Sequence, residues 1–178
     1  MGKVLTFRVV VLGEPNEYKE SLCETYSGSG PQRESSWARI YYKADEFIID
    51  DSRISVWWVI HSTIDNIILT GDLKTVARTY LGNMDGTIII FDLEEHQAYE
   101  KLPRLVRMFW DILGITPFLC VGVYSGDVDI TKNKHLIMLY LNKISQISRI
   151  ELPLLEVKKD FDYESVRNVF LTLLLLRK

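Results

Sequence analysis

The chain has 178 residues, 47% of them hydrophobic, and its 21 Lys and Arg against 24 Asp and Glu give a net charge of −3. That size and apolar content suit one domain with a single buried core, and a weakly acidic chain with scattered cations argues against nucleic acid as a partner. No apolar run reaches the ~20 residues that span a bilayer, no signal-peptide-like run opens the chain, and Cys23 and Cys120, far apart in apolar settings, read as reduced core thiols. A cytoplasmic protein with no integral membrane segment is expected.

In chain order, "MGKVLT" fits the loose myristoylation pattern at Gly2 and Thr6, but a strand beginning near Val4 leaves little free arm. Short apolar runs rich in β-branched residues predict strands over 7–12, 47–49, 54–60, 87–91 and 118–123. Helical periodicity predicts helices over 18–26, 73–81, 99–113, 134–148 and 163–176. Strands alternating with helices imply a mostly parallel sheet with helices on both faces. In "IYYKADEFIIDDSRISVWWVI", Asp50, Asp51 and Ser52 form a short turn between strand-like runs, which predicts one antiparallel hairpin. The Gly-, Ser- and Pro-rich stretch 27–36 reads as a mobile loop. At the C-terminus, Phe170, Leu173, Leu174 and Leu176 fit a helix face packed on the sheet, with Leu175 outside it.

One stretch carries a chemical signature. "VVVLGEPNEYKESL" reads as a strand, a glycine and a following helix with Lys19 six positions after Gly13, the frame of a phosphate-binding loop. Tyr18 stands where the second glycine of GxxxxGK[ST] would be, and Glu20 where the hydroxyl residue would be. A side chain at Tyr18 obstructs a backbone cradle, and Pro15 removes one of its N–H donors. A carboxylate ~4 Å from a phosphate is repelled by ~1 to 4 kcal/mol, although Glu20 could instead ligate a metal.

The element order, with "FRVVVLGE", "YLGNMDGTIIIFDLE", "TPFLCVG" and "SVRNVFLTLL", resembles the Ras superfamily of small GTPases, Rab-like or Arf-like in size. The resemblance covers nearly the whole chain. It implies a P-loop NTPase-like G domain, α/β, with a six-stranded mostly parallel sheet. It also implies GTP or GDP with magnesium as ligand, but the motifs that would hold them are eroded. "SVWWVIHSTIDN" contains no DxxG, since Ile68 stands where a glycine would follow Asp65, and His61 is a weak substitute for a water-positioning glutamine. At the guanine-reading [NT]KxD position the chain has "GVYSGDVD", where Asp127 fits only after a one-residue shift, and "VKKD" keeps Lys159 of the last motif without its small residues.

The leading expectation is therefore a pseudo-GTPase without cofactor or metal and without catalytic residues, acting as a protein-interaction or scaffold subunit, within a heteromeric complex in one form of this reading. The alternative is a divergent small GTPase, a signalling or trafficking switch that binds GTP or GDP with magnesium weakly through Gly13, Lys19, Glu20, Asp127 and Lys159. For protein partners, the surplus of aromatic residues at Trp37, Tyr41, Tyr42, Trp57 and Trp58 is the candidate surface, because the resembled family reads its partners through these strands and aromatic anchors dominate interfaces.

Overall fold

The computed structural model describes residues 4–35, 38–49, 52–60, 81–95, 98–114 and 116–176. In chain order these are strand β1 (Val4–Glu14), helix α1 (Asn16–Ser27), strands β2 (Arg33–Glu34), β3 (Arg39–Ile49), β4 (Ser52–Ile60) and β5 (Gly86–Asp92), helix α2 (Ala98–Leu113), strand β6 (Phe118–Tyr124), helix α3 (Thr131–Ser148), strand β7 (Leu154–Lys158) and helix α4 (Tyr163–Leu175). They build one sheet in the order β2-β3-β4-β1-β5-β6-β7. β4, β1, β5, β6 and β7 run parallel to one another, and β3 is antiparallel to both β2 and β4.

The β-branched run of β1 explains the layering. Successive side chains of a strand point to opposite faces, and a strand buried on both faces is apolar throughout. Phe7, Val9 and Val11 enter one core with Tyr18, Leu22 and Tyr26 of α1 and Val166, Val169, Phe170 and Leu173 of α4. Val10 and Leu12 enter the other with Leu102 and Val106 of α2 and Ile137 and Leu141 of α3. β5 divides in the same way, Ile88 and Ile90 against Ile89 and Phe91. Both cysteines are buried and outside any disulfide, one in each core, and burial pushes the Cys120 thiol up to about 12.

Helix ends follow local chemistry. The Asp162 side chain accepts the backbone N–H of Ser165 at 2.9 Å as the cap of α4, and Gly28 closes α1 in the left-handed region at φ 72°, its N–H donated to Glu24 O at 2.9 Å. The C-terminal helix buries Phe170, Leu173 and Leu174 and leaves Leu175 exposed, as its spacing predicts.

Two expectations need correction. Among the described residues the sheet has seven strands, because part of the stretch read as a mobile loop is the short strand β2, with Arg33 opposite Ile40 and Glu34 opposite Arg39. Arg39 holds it by a hydrogen-bonded ion pair to Glu34 at 2.7 Å. Second, no loop of phosphate-cradle length separates β1 from α1: the strand runs to Glu14, the helix begins at Asn16, and Pro15 alone lies between them. The expected hairpin is present as β3 and β4, whose turn at Asp50 and Asp51 lies outside the described residues. The expected helix over 73–81 lies outside them except for Leu81.

Candidate functional site

In an open α/β sheet, ligands bind beyond the carboxyl ends of the strands where successive connections leave in opposite directions. Here that point is between β1 and β5, since the chain leaves β1 toward β3 and β4 and leaves β5 toward β6 and β7. The side chains that converge there come from four different parts of the chain.

Tyr18, in the first turn of α1, is nearly buried and packs edge-on against Phe161 at 6.2 Å. Its hydroxyl donates to Asp92 Oδ2 at 3.0 Å, at the end of β5. Asp92 Oδ1 accepts the backbone N–H of Glu94 at 2.8 Å, which turns the chain and aims the Glu94 carboxylate at the ends of β6 and β7. There Glu94 Oε1 accepts both the backbone N–H and the hydroxyl of Ser125. Lys159, just past β7, closes the cluster: its ammonium lies 2.9 Å from Glu94 Oε2, 3.4 Å from Asp92 Oδ2 and 5.7 Å from the centre of the Tyr18 ring. The backbone fastens the same loops, with Leu93 N–H donated to Val123 O, Lys159 N–H to Tyr124 O and the Asn133 side-chain amide to Leu93 O.

The titration behaviour follows from these contacts. Hydrogen bonds from Ser125 and then from Lys159 hold the Glu94 carboxyl down at about 2. Hydrogen bonds to the Tyr18 hydroxyl and to Glu94 hold the Lys159 ammonium above the ordinary lysine range, and burial raises the Tyr18 phenol. At neutral pH Lys159 is thus held charged, Glu94 ionised and Tyr18 a neutral phenol. Because the folded pKa of Glu94 lies below its unfolded value, the ionised form favours folding; this contribution is complete above about pH 5 and is lost as pH falls toward 2. Thermal melts of the wild type should fall across that window, and Glu94→Gln should flatten part of the fall. Asp129 and Asp162, also held low by hydrogen bonds from Thr131 and Ser165, account for a remainder.

The residues singled out as nucleotide contacts are dispersed. Only Lys159 belongs to the cluster. Gly13, at φ 111°, lies in the β1–β5 ladder opposite Ile90, where a Cβ would stand 1.8 Å from the Ile90 carbonyl oxygen. Lys19 is 0% exposed within α1. Glu20 pairs with Arg39 on the side of the sheet's β2–β3 edge instead of facing the crevice. Asp127 is exposed, and its backbone N–H is donated to Ser125 Oγ at 3.3 Å. A triphosphate with magnesium does not fit this site: the one-residue strand-to-helix junction leaves no loop to wrap a phosphate, and two carboxylates face any incoming phosphate with one ammonium already engaged between them. No protein-family model and no curated protein sequence matches the chain.

The aromatic candidates also separate. Tyr41 is fully buried in the core shared with α1, so it supports the fold and is not offered to a partner, whereas Tyr42 is half-buried. By register Tyr41 stands opposite Trp58 and Tyr42 opposite Trp57. The Trp57 and Trp58 side chains, Trp37, His61, Asp65 and Ile68 lie outside the described residues. Sequence reasoning missed Asp92, Glu94 and Ser125. They had no motif of their own, and the one signal available was Lys159 in "VKKD", a cation needing partners once its phosphate-loop counterpart is absent.

Proposed function

We propose that this chain is a small-GTPase-like protein that has lost conventional nucleotide binding and serves as a cytoplasmic protein-interaction or scaffold subunit. The observation that carries the reading is the Tyr18–Asp92–Lys159–Glu94–Ser125 cluster, which fills with internal ion pairs the crevice where an open α/β sheet receives its ligand. The one-residue β1–α1 connection supports it, because phosphate binding needs a loop whose backbone wraps the anion. A frame retained without its chemistry has contact with other proteins as its remaining use, and Tyr42 on β3, opposite Trp57, is the described part of the candidate surface.

Ligand binding stabilises a folded protein by RT ln(1 + [L]/Kd). Millimolar GTP with magnesium should therefore leave the melting temperature within about 1 °C, and acid-denatured protein should release no guanine nucleotide. Stoichiometric nucleotide, or a rise beyond about 3 °C, equivalent to ~1 kcal/mol at this chain length, would instead establish the divergent GTPase.

A further inference from the structure

Away from that crevice, on the opposite face of the sheet from α1 and α4, α2 and α3 leave a groove of about 540 Å³ between them. Arg107 and Trp110 line it from α2, and Tyr140, Lys143, Ile144 and Ile147 from α3. α3 has two apolar faces. Its inner face, Ile137 and Leu141, is in the core; its outer face is solvent-facing, with Leu139 52% and Ile147 75% exposed. The spacing of Tyr140, Lys143 and Ile147 sets these side chains on one stripe along the groove. A second apolar stripe on a helix already seated on its sheet is surplus to the fold.

Charge says what would cover it. α3 carries Lys132, Lys134 and Lys143 and no Asp or Glu, in a chain whose net charge is negative. Lys134 is engaged with Glu156 at 2.5 Å, but Lys143 and Arg107 have no ion-pair partner among the described residues. Among the described residues lining the groove Asp111 is the one acid, so cations are in excess there.

We propose that the α2–α3 groove docks an amphipathic α-helix of another protein, apolar on the face it inserts and carrying carboxylates along the flank that meets Arg107 and Lys143. Leucine-like anchors at i, i+3 or i+4 and i+7 would lie along Tyr140, Ile144 and Ile147. A second copy of this chain is disfavoured, since the same groove in symmetric apposition sets cations against cations. A bilayer is disfavoured because a flat surface does not fill a groove and would bring Asp111 against anionic headgroups. The inference is independent of whether nucleotide is bound.

The test uses the whole chain and a fluorescein-labelled synthetic amphipathic helix with leucines at that spacing and flanking glutamates, beside a twin with lysines in place of the glutamates. Anisotropy titrations should give at least about tenfold tighter binding of the glutamate peptide, or ~1.4 kcal/mol. Ile147→Arg should abolish it, and Lys143→Glu should reduce or reverse the preference. Both positions are exposed, so the variants should melt as the wild type does. Equal binding of the twins, no binding of either, or wild-type affinity in Ile147→Arg would overturn the proposal. So would capture by phosphatidylserine vesicles that Ile147→Arg abolishes while the glutamate peptide fails to bind.

Discussion

Gly13→Ala is expected to cost more than ~4 kcal/mol and to leave most of the chain unfolded or aggregated, because stability in a domain of this size is only ~5 to 15 kcal/mol. Two effects coincide at this residue. Its φ of 111° is strained for any residue with a Cβ, and the added atom would stand 1.8 Å from the Ile90 carbonyl oxygen, 2.9 Å from its carbon and 3.1 Å from its nitrogen. These are backbone atoms in the β1–β5 ladder, so no side-chain rotation relieves the clash; the strands must part at the centre of the sheet. Gly28→Ala is the control. It has a similar sign of φ, at 72°, but open space around the Cβ, and should cost only ~1 to 2 kcal/mol for left-handed strain. Urea denaturation measures both, and a Gly13→Ala loss below that of Gly28→Ala would contradict the close approach of β1 to β5.

Tyr26→Ala should be nearly as damaging, at ~3 to 5 kcal/mol, the range for removing a fully buried aromatic side chain. Tyr26 is 0% exposed at the end of α1 and stacks on Phe170 of α4 at 4.1 Å and 16°, with Phe47 of β3 and Tyr163 of α4 each at 6.4 Å. The Lys43 ammonium lies 6.0 Å from the ring centre. One side chain therefore joins α1, β3 and α4, and its loss leaves a cavity that three separate elements would have to collapse to fill. Tyr26→Phe keeps the ring stack and should stay within ~1 kcal/mol of the wild type. Chemical denaturation distinguishes the two outcomes; a Tyr26→Ala loss below ~1.5 kcal/mol would mean that the stack is not where the core derives its cohesion.

The legible parts of the fold were those in which one segment carries its own signal. The β-branched runs around Val9–Val11, Ile88–Ile90 and Leu119–Val121 are buried on both faces, so composition alone marks them as central strands. The helices at Asn16–Ser27 and Tyr163–Leu175 announce themselves by apolar spacing. β7 was not marked as a run of its own, since "LLEVK" alternates weakly in half-buried positions at a sheet edge. β2 escaped because its two residues have no hydrophobic pattern and depend on pairing with β3. The shortness of the β1–α1 connection was hidden for a related reason. Spacing from Gly13 to Lys19 can be counted along the sequence, but where the strand ends and the helix starts depends on Gly13 lying flat against Ile90, which is a contact across 77 positions. The cluster at the sheet's carboxyl end is entirely of this kind, joining Tyr18 to Asp92 and Glu94 to Lys159 over separations of 74 and 65 residues. Tyr18 and Lys159 were visible beforehand, and their partners could be named only once the strand order brought the loops together.

Lys159 has a consequence for how the protein behaves in dilute solution. A bound ligand contributes stability that depends on how much of it is free, and it is lost on dialysis or when supply falls. An ammonium tethered to the chain between Asp92 and Glu94 has a local concentration fixed by the polypeptide itself. Washing cannot remove it, competition by cellular phosphates does not set its occupancy, and no exchange factor could release it. On the proposed reading, in which no nucleotide is bound, the shape presented to a partner is constant over time and the quantity of active protein is set by synthesis and turnover.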